Sequence, residues 1–136
     1  MGCSALKITG GNGMNQDLHS NYINGEWVGS SEIISNINPS DTSDIVGRYA
    51  KASNEDCLAA ISAANAAFEG WSQSALEQRK TVLDFIGAEL IARSGEIGEI
   101  LAREEGKTRA EGVGEVYRSG QFFQYYGAEV LRLMGE

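Results

Sequence analysis

The chain has 136 residues, with 19 acidic side chains against 11 basic ones and a formal net charge of −8. That balance argues against nucleic acid and anionic membranes as partners, because phosphate binding needs clustered Lys and Arg. No stretch of about 20 apolar residues is present to cross a bilayer as a helix. Length predicts one domain, and a domain of this size can bury roughly 68–70% of its unfolded surface.

Residues 1–20 are rich in Gly and Asn and lack an apolar period. They are expected to be a disordered or adventitious leader, with the folded segment over 21–136. Met1-Gly2-Cys3 opens like a myristoylation signal, but Leu6 stands where that signal wants Ser or Thr. Asn21 to Val28 reads as a hairpin closed by Asn24-Gly25, a pair suited to a type I′ turn with positive φ at both positions. Ile33 to Ile37 and Ile45 to Ala50 read as two further strands. Between them Pro39 presets the turn Asn38-Pro39-Ser40-Asp41. Gly47 weakens the last strand and marks a candidate bulge.

The remainder reads as helical. Ser53 with Asp56 is a capping box, followed by the stripe Cys57, Ile61, Ala64, Phe68 and Trp71. Ser74 with Glu77 has the same capping pattern, ahead of Leu76, Leu83, Ile86 and Leu90. Ser94-Gly95 breaks that helix, and a shorter one follows with Ile97, Ile100 and Leu101. Gly106 suits the position just past its end. Thr108 with Glu111 opens the final helix, predicted to run to about Met134. That helix has two apolar lobes. One holds Val113, Val116, Tyr117, Phe123, Val130, Leu131 and Met134, with Gly120 and Gly127 set into it. The other holds Phe122, Tyr126 and Leu133. A helix packed in a single layer needs one stripe. Two lobes place it between two layers, which these 136 residues are not expected to supply. The fold class is α+β: a short antiparallel β start, made of a hairpin plus two strands, then four packed helices, the last one long.

Two cysteines, Cys3 in the leader and Cys57 in a helix, form no disulfide framework, so a reducing cytoplasm is the expected compartment. With His19 as the single histidine and no cysteine pair at ligand spacing, a zinc site is not expected. Cys57 lies on an apolar stripe with Glu55 and Asp56 beside it, so a core cysteine is expected rather than a thiolate nucleophile. Lys107 at a helix junction is expected to meet the orphan carbonyls of the preceding helix. Gly112 and Gly114 do not follow a strand, so they form no phosphate cradle. The Phe122, Phe123, Tyr125 and Tyr126 cluster is expected to be core or interface rather than a base-stacking platform. Glu104 continues the stripe of Ile97, Ile100 and Leu101, which aims a carboxylate at the core. Buried without partners it would be costly. Its simplest partners are the start of the next helix or a neighbouring strand.

The order Leu101, Glu105-Gly106-Lys107, Glu111 and Glu115-Val116, followed by Tyr125-Tyr126-Gly127-Ala128-Glu129, resembles the N-terminal region of the aldehyde dehydrogenase superfamily. Asn38-Pro39-Ser40-Asp41 and Asp44-Ile45-Val46-Gly47 match the opening of the same region. Ala110 to Glu115 look closest to members acting on 2-oxoglutarate semialdehyde. The resemblance implies NAD(P)-dependent oxidation of an aldehyde to a carboxylic acid by the complete enzyme. The family's catalytic cysteine, general base and oxyanion-hole asparagine map onto no residue here. No catalytic or cofactor-binding residue is therefore expected in this chain, with NAD or NADP belonging to the full-length enzyme. The resemblance also implies a structural monovalent cation held by the side chain of Glu104 and the backbone carbonyls of Asn36 and Ile37, together with a carbonyl from outside this segment. The expected partners are a second copy of the chain or the C-terminal portion of the enzyme. The alternative to an inactive N-terminal segment is a stand-alone module that self-associates or binds a partner.

Overall fold

The computed structural model describes residues 18–132. Five short strands precede four helices. The strands are β1 (Leu18–His19), β2 (Asn21–Ile23), β3 (Glu26–Val28), β4 (Ile33–Ile37) and β5 (Ile45–Ala50). The helices are α1 (Asn54–Ser72), α2 (Leu76–Ala92), α3 (Ser94–Glu105) and α4 (Arg109–Val130). The architecture is the expected α+β arrangement of short strands followed by four helices.

β2 and β3 form an antiparallel hairpin, with φ of 51° at Asn24 and 85° at Gly25. β4 pairs antiparallel with β5, and β1 adds to the far edge of β5 in parallel, giving the order β1-β5-β4. β1 falls inside the span expected to be leader. Two residues carry too short a pattern to announce a strand, and His19 gains its place by stacking on Tyr49, with ring centroids 5.0 Å apart. The leader through residue 17 and residues 133–136 lie outside the described residues; α4 ends at Val130, short of the expected Met134, with Leu131 as its cap.

Helix boundaries follow local chemistry. Ser53 and Asp56 make the reciprocal capping box at the start of α1, and Thr108 and Glu111 make the one at the start of α4. The cap expected from Ser74 does not form, because Ala75 holds the cap position of α2. The Ser74 hydroxyl instead donates to the Trp71 carbonyl at 2.7 Å and accepts from Arg79 Nε at 3.0 Å. It is spent on closing the end of α1, where Arg79 also lies over the Trp71 ring. α3 ends on Gly106, at φ 70°.

α4 is the spine of the helical layer and packs along both α2 and α3. It approaches them through glycines. A Cβ on Gly98 would sit 2.5 Å from Val113 Cα, and one on Gly120 would sit 2.8 Å from the Gly87 carbonyl oxygen. The backbones therefore meet at Gly98 with Gly112 and at Gly87 with Gly120, without side chains between them. Only Ala50, Ala102 and Val116 are buried apolar residues among those described. That is far less core than the length predicts. The reason is visible in α1, whose largest contact is with β2 and which buries no residue. Its stripe is open, with Phe68 69% and Trp71 48% exposed. Cys57, expected in a core, is exposed for the same reason. On α4 the lobe containing Val116 is covered only in part: Val116 is buried and Val113, Phe123 and Val130 are half-buried, but Tyr117 and Leu131 are exposed, and Phe122, Tyr125 and Tyr126 face outward. The two-lobed pattern thus corresponds to one partly packed flank and one open flank.

Candidate functional site

The residues with the most chemistry converge where β4 and β5 meet the C-terminal end of α3. Arg103 and Glu104 are neighbours near that end, so they leave the helix in different directions. Arg103 grips Asp44 through two parallel bonds, Nε to Oδ2 at 2.8 Å and Nη2 to Oδ1 at 2.6 Å. The Asn38 side chain donates to the same carboxylate at 3.2 Å. Arg103 foremost, and then Asn38, hold the Asp44 carboxyl down from 3.8 to about 2. A folded-state value below the unfolded one gives stability that is present above pH 3.8 and lost as pH falls through about 2. Asp44→Asn is expected to lower the melting temperature at neutral pH and to flatten its fall between pH 4 and 2. Circular dichroism melts across that range check it.

Glu104 takes the partner expected from a neighbouring strand. Asn36 Nδ2 donates to Glu104 Oε1 at 2.7 Å, tying α3 to β4. Tyr49 joins them. Burial first, and then the charge of Glu104, raises its phenol above the ordinary value. Asn36 faces Gly47 across the ladder, and the register slips between Asn36 and Ile37, leaving Val46 as the extra residue on β5. The bulge foreseen at Gly47 is therefore one residue away, and it interrupts regular pairing at the step that holds Asn36 and Ile37. Among the described residues no group of three or more His, Cys, Asp or Glu could hold a metal. Any ion here would rest on Glu104 and backbone oxygens.

Next to this cluster the chain makes a second tie. Ser40 Oγ donates to the Gly106 carbonyl at 2.9 Å, which docks the Asn38–Asp41 turn on the end of α3. Lys107 does not cap that helix with its side chain. Its Nζ pairs with Glu105 at 2.5 Å and Glu115 at 2.7 Å, and both carboxylates raise its pKa. Two carboxylates outcompete partial charges on carbonyls, and its backbone N–H already bonds the Ala102 carbonyl. From sequence, Asn38 and Asp44 stood only as members of the turn and strand motifs, and Tyr49 was not singled out. Tyr49 and Asp44 owe their roles to contacts across 55 and 59 positions, which no local spacing reveals.

No described helix is long and apolar enough to cross a membrane. The aldehyde dehydrogenase family profile matches residues 27–136. The alpha-ketoglutarate semialdehyde dehydrogenase of Haloferax volcanii is 38% identical over 121 residues, which is 88% of this chain and 25% of that protein. The structure of a mutant of Thermus thermophilus 1-pyrroline-5-carboxylate dehydrogenase superimposes with a TM-score of 0.82 at 34% identity, covering 88% of this chain and 23% of that one. A 1-pyrroline-5-carboxylate dehydrogenase from Thermus with bound NAD gives a TM-score of 0.76 at 35% identity, with 86% and 23% covered. The chain spans about a quarter of the length of the curated relatives it matches. The profile takes in all four helices and every strand from β4 onward, and by that match the chain belongs to the aldehyde dehydrogenase family.

Proposed function

We propose that this chain is the N-terminal segment of an NAD(P)-dependent aldehyde dehydrogenase and that it is inactive alone. The observation that carries this reading is that α4 has an open flank and α1 an open stripe, on a chain that spans a quarter of its relatives' length. In the full-length enzyme the reaction is oxidation of an aldehyde to a carboxylic acid, with a semialdehyde of 2-oxoglutarate as the substrate indicated by the Haloferax relative. The compartment is the cytoplasm, in keeping with cysteines that form no framework. The purified chain with NAD or NADP and that semialdehyde should give no absorbance of reduced cofactor. A steady rise proportional to protein would overturn the reading.

A second reading, a self-associating or partner-binding module, is favoured by the same exposed side chains, because a large contiguous apolar patch predicts association. Light scattering discriminates: a concentration-independent monomer mass argues against the module, and a discrete dimer or tetramer argues for it.

Glu104, with the carbonyls of Asn36 and Ile37, is proposed to hold a monovalent cation. Hard cations take oxygen ligands. The donor set fits, since it combines a carboxylate with two backbone oxygens at a step where the ladder is irregular. When bound, the ion would cross-link α3 to β4.

A further inference from the structure

We propose that β4 is an interaction edge that pairs antiparallel with β4 of a second copy of this chain, about a two-fold axis at Ser35. The proposal deepens the self-associating reading and rests on it. β4 is the outer strand of its sheet, and among the described residues no strand pairs with its other edge. The ladder decides which backbone groups that edge offers. The Lys51 N–H donates to the Glu32 carbonyl at 2.9 Å, and the Asn38 N–H donates to the Asp44 carbonyl at 3.0 Å. Residues 32 and 38 therefore face β5. Backbone groups alternate along an antiparallel pair. Ile34 and Asn36 thus also face β5, while Ile33, Ser35 and Ile37 point their N–H and C=O groups away from it. The extra residue of the bulge is on β5, which leaves β4 in step. The same three residues put their side chains on one face, the face opposite Asn36 and its bond to Glu104. All three are exposed.

The occupant follows from the order Ile33-x-Ser35-x-Ile37, which reads the same in both directions. Lay a second β4 antiparallel about Ser35, and Ile33 stands beside Ile37 of the second copy. The two Ser35 residues stand side by side. Ile33, Ser35 and Ile37 then each donate one backbone hydrogen bond and accept one, and isoleucine meets isoleucine at both ends. Moving the axis by one residue sets each isoleucine opposite a serine or Pro39, and proline has no N–H to give. A two-fold contact requires this self-complementarity. β4 also lacks the lysine or proline that blocks edge pairing. The surrounding charges allow it. Glu32 is neutralised by Lys51 at 2.8 Å, and Asp44 by Arg103. Arg48 lies opposite Ser35 on β5. Its copy would be three strand spacings away, about 14 Å, beyond a screening length of about 8 Å in physiological salt. Five residues a side is far below the roughly 20–30 of a standard interface, so the dimer is weak and concentration-dependent.

The test is sedimentation velocity of the purified chain over a range of protein concentrations at about 0.15 M salt, where repulsion between whole copies is largely screened. The wild type is expected to pass from monomer to dimer mass as concentration rises. Ser35→Lys and Ser35→Glu each set like charges side by side across the axis, and each is expected to weaken dimerisation about tenfold or more. An equimolar mixture of the two should regain the dimer, because lysine then faces glutamate. Ser35→Pro removes an N–H that points away from β5, so the ladder of the single copy survives. It adds no charge and is expected to stay monomeric, with a circular dichroism spectrum like that of the wild type. If the wild type dimerises and the three variants do so equally, or the mixture regains nothing, association uses another surface. The edge proposal then falls while the self-associating reading stands. If the wild type is a monomer at every concentration, the self-associating reading falls and takes the proposal with it.

Discussion

Gly98→Ala is expected to destabilise the chain by about 1–3 kcal/mol, the range for overpacking a tight contact, while Gly95→Ala on the same helix is expected to stabilise it by about 0.5–1 kcal/mol. The two substitutions are chemically identical and lie three residues apart in α3, so helix propensity favours alanine at both. What separates them is the neighbour. A Cβ at Gly98 would come within 2.5 Å of Val113 Cα and 2.6 Å of Val113 N, atoms of the α4 backbone that no rotamer change can move. A Cβ at Gly95 meets nothing within 4 Å. α4 shows the same contrast: at Gly112 an added Cβ would press on the Gly98 carbonyl and on Ala102, whereas Gly114 has open space. Urea melts of the four single variants check the pattern. If all four shift in the same direction, the α3–α4 seam is not built on backbone contact. The expected loss is large for this chain because so little else is buried. Among the described residues three apolar side chains are buried, and separating α3 from α4 uncovers one of them, Ala102, which lies against Gly112.

Those glycines also show how far the sequence could be read. The turn residues were legible because their chemistry is local: Asn24-Gly25 takes positive φ, and Ser53 with Asp56 and Thr108 with Glu111 close their boxes within four positions. The two lobes of α4 were legible because a helix displays its periodicity whether or not both flanks are covered. Cys57 shows the limit of the same reasoning. Its stripe marks an apolar face, but periodicity does not say whether a covering layer belongs to the same chain, and here α1 buries no residue. Ser74 failed as a cap because its motif competes with Trp71 and Arg79, and the sequence does not rank those partners. Within the site, Glu104 stood out as a carboxylate on an apolar face, and Asn36 entered through the family resemblance. Tyr49 did not, since its position depends on a parallel strand of two residues and on the absence of a side chain at Gly47.

The α3–α4 turn should be the least forgiving single position. Gly106→Ala is expected to cost about 2–5 kcal/mol, adding a left-handed penalty of roughly 1–2 kcal/mol to an overpacking cost of about 1–3 kcal/mol. Gly106 has φ 70°, and its added Cβ would lie 2.7 Å from Ser40 Oγ and 2.8 Å from Pro39 Cγ. Those atoms belong to the turn that Ser40 docks by donating to the Gly106 carbonyl. Relief by twisting the turn away would break that bond and pull on Asn38, which donates to Asp44, the partner of Arg103. The strain therefore has no cheap outlet. Ser40→Gly removes the nearer of the two obstacles and should recover part of the loss, while the backbone penalty and the Pro39 contact remain. In a double-mutant cycle the two changes are expected to couple, because they share one contact. Strict additivity would mean that the Asn38–Asp41 turn and the end of α3 do not press on each other. If the coupling is found, the Gly106→Ala variant should also show a shallower loss of stability between pH 4 and 2, because a displaced turn weakens the hold of Arg103 and Asn38 on Asp44.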